Sequence, residues 1–221
     1  MKKYNTVREL TFFEEVIHAV THGIGALLSV LGLVLLMIKA SGIGARAVVG
    51  TAIFGASMII LFTASCLYHT ASAIYPPDSG SRVRATFQKC DHSMIFLLIL
   101  GTYSPACITT LGGFVGWSVF GVVAACCVTG IVLNWISVAK FEKISLFLQL
   151  LSGWSIVVAF VPFYNAIGPI GCNFLVAGGL FYTVGVVFYK LQNIKYFHVV
   201  WHIFVLLGAL MHYVMIYSYC M

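Results

Sequence analysis

Apolar residues run through this chain in blocks of about 20, separated by short polar connections. The blocks fall near 16–38, 46–70, 91–111, 114–137, 144–163, 169–189 and 198–219. At about 1.5 Å per helical residue, each is long enough to cross a hydrocarbon layer of about 30 Å. The pattern predicts an all-α membrane protein, a seven-transmembrane-helix bundle forming one domain over residues 1–221. Small residues recur inside the blocks, as at Gly23, Gly25 and Gly32. Such positions let membrane helices approach closely. The longest connection, 71–90, carries Pro76, Pro77, Asp78 and three basic residues.

Composition removes the soluble alternatives. Hydrophobic residues make up 61% of the chain and charged residues only 8%, against about 25% charged in a soluble domain. Lys2 and Lys3 are not followed by a short apolar core and cleavage site, so the first block is expected to stay as an anchor. The formal charge of +6 gives no reason to expect a nucleic-acid partner. The seven cysteines lie mostly in apolar blocks without a CxxC pair, which argues against a disulfide framework.

Charge placement is more informative than its sum. Lys2, Lys3, Arg8, Arg82, Arg84, Lys89, Lys140, Lys143, Lys190 and Lys195 flank the blocks on the amino-terminal side, and only Lys39 and Arg46 lie on the other. The excess of basic residues predicts a cytoplasmic amino terminus and an external carboxyl terminus.

That orientation sorts the polar residues by depth. His198 and His202 share one face of the last helix, about 6 Å apart along its axis. Ser65 and His69 stand near the cytoplasmic end of the second, and Asp91 and His92 at the start of the third. Glu14, His18 and His22 lie at the cytoplasmic end of the first. Six of seven histidines thus gather near one leaflet; His212 lies toward the other. Intramembrane ionisable side chains point to function. Three neutral imidazoles from His69, His198 and His202 would make an open metal site. The pair is not a zincin box, because Val199, Val200 and Trp201 fill the interval and leave no glutamate as base. Each residue also has a plainer role open to it: Asp91 as a helix cap, Ser65 bonded to its own helix, the histidines at the interface. Glu14, His18 and His22 could line the site or supply alternative ligands, and His92 points about 100° away from Asp91. Pro105, in Gly101–Pro105, predicts a kink.

The segments H-A-V-T-H-G-I-G (18–25), S-C-L-Y-H (65–69), D-H-S-M-I-F-L-L-I-L-G-T-Y-S-P (91–105) and H-V-V-W-H-I-F-V-L (198–206) carry a resemblance over essentially the whole chain. It resembles the hemolysin III branch of the progestin and adiponectin receptor family. The resemblance implies a zinc ion held by His69, His198 and His202, with Asp91 and Ser65 acting on water beside it. It also implies a bacterial inner-membrane location, membrane lipids as partners and a role in lipid and fluidity homeostasis. In related receptors and alkaline ceramidases the constellation is associated with hydrolysis of a lipid amide; hormone binding is not expected. The leading expectation is a zinc-dependent hydrolase of a lipid amide or ester. A non-enzymatic sensor of membrane state with structural zinc comes second, and a pore, cytolysin or transporter third.

Overall fold

The computed structural model describes residues 8–75 and 79–221; Lys2, Lys3, Pro76, Pro77 and Asp78 lie outside the described residues. Those residues are helical nearly throughout and contain no strand. Helix α1 spans Phe12–Ser41 and α2 spans Ala45–Ile74. Helix α3 spans Arg82–Ser104 and runs into a π-helical turn, Pro105–Leu111. Helix α4 covers Gly113–Gly153, α5 covers Phe160–Lys190, and α6 covers Phe197–Tyr219. A 3₁₀ segment, Ser155–Ala159, joins α4 to α5. Among the described residues, five stretches are long and apolar enough to cross a membrane.

Several starts and breaks follow from local chemistry. Thr11 and Glu14 form a capping box: the Thr11 hydroxyl accepts from the Glu14 N–H at 3.3 Å, and the Glu14 carboxylate accepts from the Thr11 N–H at 3.0 Å. Ser81 caps α3 by accepting from the Arg84 N–H, so α3 begins well before the expected 91. Asp91 is therefore inside a helix, and the role of amino-terminal cap belongs to Ser81. The three expected blocks from 114 to 189 form one helical tract, interrupted at Ser137 (φ −166°, ψ 111°), at the 3₁₀ segment and at Gly168 (φ 70°, ψ 176°). Gly168 precedes Pro169, whose ring disfavours an α-helical residue before it. Glycine takes the left-handed φ without steric penalty.

At Pro105, where a kink is expected, the regular α-helix does not continue. The backbone widens into the π turn instead, ending with the Gly112 N–H donating to the Cys107 carbonyl at 2.9 Å. A proline has no N–H for the preceding ladder, and a π segment is one way to absorb that loss.

Packing runs around the bundle: α1 lies on α2 and α6, α2 on α3, α3 on α4, and α5 on α6. On α1 the buried positions are Glu14, Glu15, His18, His22, Gly25, Ser29, Gly32, Leu36 and Ala40, which from Glu15 onward step by three and four and make one face. The opposite face is apolar and bare, with Leu27 74% exposed and Leu28 and Leu31 also exposed. A soluble protein does not display so large an apolar surface. Polar groups inside and aliphatic groups outside are the arrangement a bilayer selects. Phe54, Phe62, Phe96 and Phe163 fill the interior. At one end of it the filling changes from aromatic rings to imidazoles.

Candidate metal centre

His69 comes from the last turns of α2, and His198 and His202 from the first turns of α6. Their ligand atoms lie within 4.8 Å of one another. His69 and His202 are buried, each at 1% exposure. One ion can reach all three, so the buried group could hold a metal.

Hydrogen bonding leaves the right atoms free. The His69 Nδ1–H donates to Glu15 Oε2 at 2.6 Å. A carboxylate only accepts, so the lone pair of His69 falls on Nε2, a buried atom with no hydrogen-bond partner among the described residues. This is the carboxylate–histidine arrangement that orients imidazoles toward metals. The Thr21 hydroxyl donates to the His18 carbonyl at 2.9 Å and lies 3.5 Å from His202 Nδ1. With its proton committed, that hydroxyl can only accept from His202, which again leaves the lone pair on Nε2. His198 Nδ1 is buried and has no partner among the described residues. Buried polar atoms are rarely left so. The donor set, three imidazoles, suits a borderline-soft divalent ion.

Helix α1 supplies more than expected. His18 and His22 are buried beside the trio, and neither ring has a hydrogen-bond partner among the described residues. His22 stacks on His202 at 3.8 Å between ring centroids. Glu14 turns away from the cluster and is neither lining nor ligand. Its carboxylate accepts from Arg8 Nη2 at 2.5 Å, Arg8 Nη1 at 3.0 Å, the Thr11 hydroxyl at 2.9 Å and the Tyr196 N–H at 3.1 Å. The guanidinium, held by that carboxylate, has its pKa raised. Glu14 thereby ties the start of α1 to the residue that precedes α6. Glu15, adjacent in sequence, is the carboxylate that faces the histidines. Sequence reasoning missed it, although Glu15, His18 and His22 stand at i, i+3 and i+7 and so share a face.

Ser65 and Asp91 line the same cavity as His22, His198 and His202. Asp91 Oδ2 is 3.4 Å from His92 Nδ1, which donates to the Gln88 carbonyl at 3.0 Å. His92 thus contacts Asp91 and also lines the cavity. A second, more apolar cavity shares the walls Leu61, Ile95, Gln149, Trp201 and Val205 and extends toward Tyr182 and His212. His212 stands apart from the cluster, its Nε2 3.3 Å from the Leu175 carbonyl.

The family described as haemolysin-III related matches residues 10–213 of this chain. The chain is 39% identical over 199 residues to Hemolysin-3 of Bacillus cereus, covering 90% of this chain and 88% of the relative. It is 36% identical over 211 residues to a Hemolysin-3 homolog of Bacillus subtilis, covering 95% and 96%. Similarity extends to the human monocyte to macrophage differentiation factor, 28% identical over 172 residues, covering 76% and 68%.

Proposed function

The chain belongs to the haemolysin-III-related family, and from that premise we propose a zinc-dependent hydrolase of a lipid amide or ester in the bacterial cytoplasmic membrane. Membrane lipids are its partners, and its contribution is to lipid and fluidity homeostasis. One observation carries this reading: Asp91 and Ser65 face the same cavity as His198 and His202.

The proposed topology has seven crossings, a cytoplasmic amino terminus and an external carboxyl terminus. The breaks at Ser137, the 3₁₀ segment and Gly168 supply reversal points within the tract from 113 to 190. Asn134, Glu142 and Tyr189 line the same cavity as His198, which supports reversals near Ser137 and before α6 at the site end. The basic residues on that side fit a cytoplasmic face.

His69, His198 and His202 would hold the zinc. When bound, zinc lowers the pKa of water toward neutrality and polarises a carbonyl oxygen. Asp91 accepts the proton given up by the attacking water and returns it to the leaving group. Ser65 orients the water or the carbonyl through its hydroxyl. Glu15 keeps His69 in the tautomer that presents Nε2. The acyl chain occupies the apolar cavity beyond Trp201, which excludes bulk water from the reacting carbonyl.

The test separates metal from chemistry. Purified protein should carry zinc, and His198→Ala with His202→Ala should lose it. Asp91→Asn should keep zinc and lose lipid turnover by at least about 100-fold, the scale of a general base. Absence of zinc sinks the metal reading. Zinc with no turnover on any lipid class favours the non-enzymatic regulator, in which the ion ties α2 to α6.

A further inference from the structure

We propose that the acyl chain taken up by the apolar cavity carries a hydroxyl group partway along its length, held between Tyr182 of α5 and His212 of α6. The inference rests on the reading of that cavity as the acyl site of a lipid substrate, and names the class of chain it takes.

Several polar side chains stand in the cavity wall, and four of them are satisfied by the protein itself. The Thr102 hydroxyl donates to the Leu98 carbonyl at 2.9 Å. The Tyr103 hydroxyl donates to the Gly153 carbonyl at 2.9 Å and accepts from the Ile156 N–H at 2.8 Å. The Trp154 indole N–H donates to the Thr183 hydroxyl at 3.0 Å, which itself donates to the Gly179 carbonyl at 2.7 Å. Tyr182 and His212 differ. The Tyr182 hydroxyl oxygen and His212 Nδ1 are buried and have no hydrogen-bond partner among the described residues, although both residues line this cavity. Buried polar atoms are rarely left unmet.

The two rings are brought together by a reciprocal fit between α5 and α6. Their centroids lie 5.6 Å apart. Tyr182 lies against Gly208, where a Cβ would stand 2.8 Å from its ring, and His212 lies against Gly178, where a Cβ would stand 2.4 Å from its ring. Each helix thus offers a glycine to the other's ring and, four residues on, sends a ring back.

Donor and acceptor roles define the occupant. His212 Nε2 lies 3.3 Å from the Leu175 carbonyl, which only accepts, so Nε2 holds the proton and Nδ1 the lone pair. The Tyr182 hydroxyl has a proton to offer. One group meets both atoms if it donates to Nδ1 and accepts from the phenol. An alcohol does this, whereas a ketone or ester only accepts. A resident water would do it too, and the experiment separates the two. Spacing places the alcohol. His212 stands ten residues beyond His202, about 15 Å along the helix axis, and Trp201 and Val205 line the route. An extended chain advances about 1.25 Å per carbon, so the hydroxyl lies about twelve carbons from a carbonyl held at the histidines.

The test is calorimetric binding of three fatty acids to the purified full-length protein in detergent. The probes are stearic acid, stearic acid hydroxylated at the third carbon, and stearic acid hydroxylated about twelve carbons from the carboxyl. The last should bind at least about 10-fold more tightly than the other two, the scale of two added hydrogen bonds. Tyr182→Phe should erase that gain and keep the affinity for stearic acid. Equal binding of all three acids, the result expected where a resident water meets Tyr182 and His212, overturns the proposal. So does a gain that persists in Tyr182→Phe, or binding of none of the acids. Should the variant fail to fold, the wild-type comparison decides alone. The readout needs no turnover, so a gain in a protein that hydrolyses nothing supports the proposal and sinks only the hydrolase.

Discussion

Two adjacent carboxylates on α1 have opposite partners. Glu15 orients an imidazole, and Glu14 satisfies a guanidinium, a hydroxyl and two backbone N–H groups. Glu15→Gln should leave the fold intact and lower zinc affinity about 10–100-fold, measured by chelator competition. Glu14→Ala strips a buried acceptor from Arg8 and from the Tyr196 N–H. It should cost about 3 kcal/mol, read as a lower unfolding midpoint in detergent, with the metal-free protein affected as well. The sequence reading set Glu14 beside the histidines in place of Glu15, because both glutamates sit in the first turn and the helical phase had to be known to within one residue. His69, His198 and His202 were legible for the opposite reason: their apolar surroundings made each imidazole conspicuous. Ser65 and Asp91 were legible as neighbours of the site through depth. The capping role open to Asp91 came from a helix start placed nine residues late, since Arg82–Lys89 is too polar to extend an apolar block.

At the scale of the helix, entry into α6 is the most constrained point. Tyr196 holds a left-handed φ of 66°, the one non-glycine residue with positive φ among those described, and its N–H is engaged by Glu14. Such a conformation persists only where surrounding contacts fix it. Tyr196→Pro forces φ to about −65° and removes the N–H. It should misplace His198 and His202 together, giving loss of zinc along with a stability loss of at least about 3 kcal/mol. Close approach of helices is the other constraint. A Cβ on Gly25 would stand 2.7 Å from Leu206 and 3.1 Å from Phe62. Gly25→Val should therefore wedge α1 away from α2 and α6 and cost about 1–3 kcal/mol by thermal unfolding. Helix existence was readable from apolar periodicity, and the glycines announced close packing. The single-residue break at Ser137 and the π turn after Pro105 were not readable, because both depend on which backbone hydrogen bonds the neighbouring helices leave open.

At the scale of the molecule, the bundle closes by α1 meeting α6, and aliphatic side chains cover its outside. The proposed orientation gives a direct expectation. A reporter active only in the cytoplasm should work when inserted in the α2–α3 connection and fail when fused after Met221. The reverse result would turn the molecule over and place the histidines outside.

The contacts Arg8–Asn193 and Glu14–Tyr196 join residues 185 and 182 positions apart. During synthesis the first helix leaves the ribosome long before the last, and until α6 arrives Glu14 lacks the Tyr196 N–H and His69 lacks both α6 imidazoles. An ion held by His69, His198 and His202 would accordingly be loaded only after the final span, and nascent chains that stall before residue 197 should stay empty.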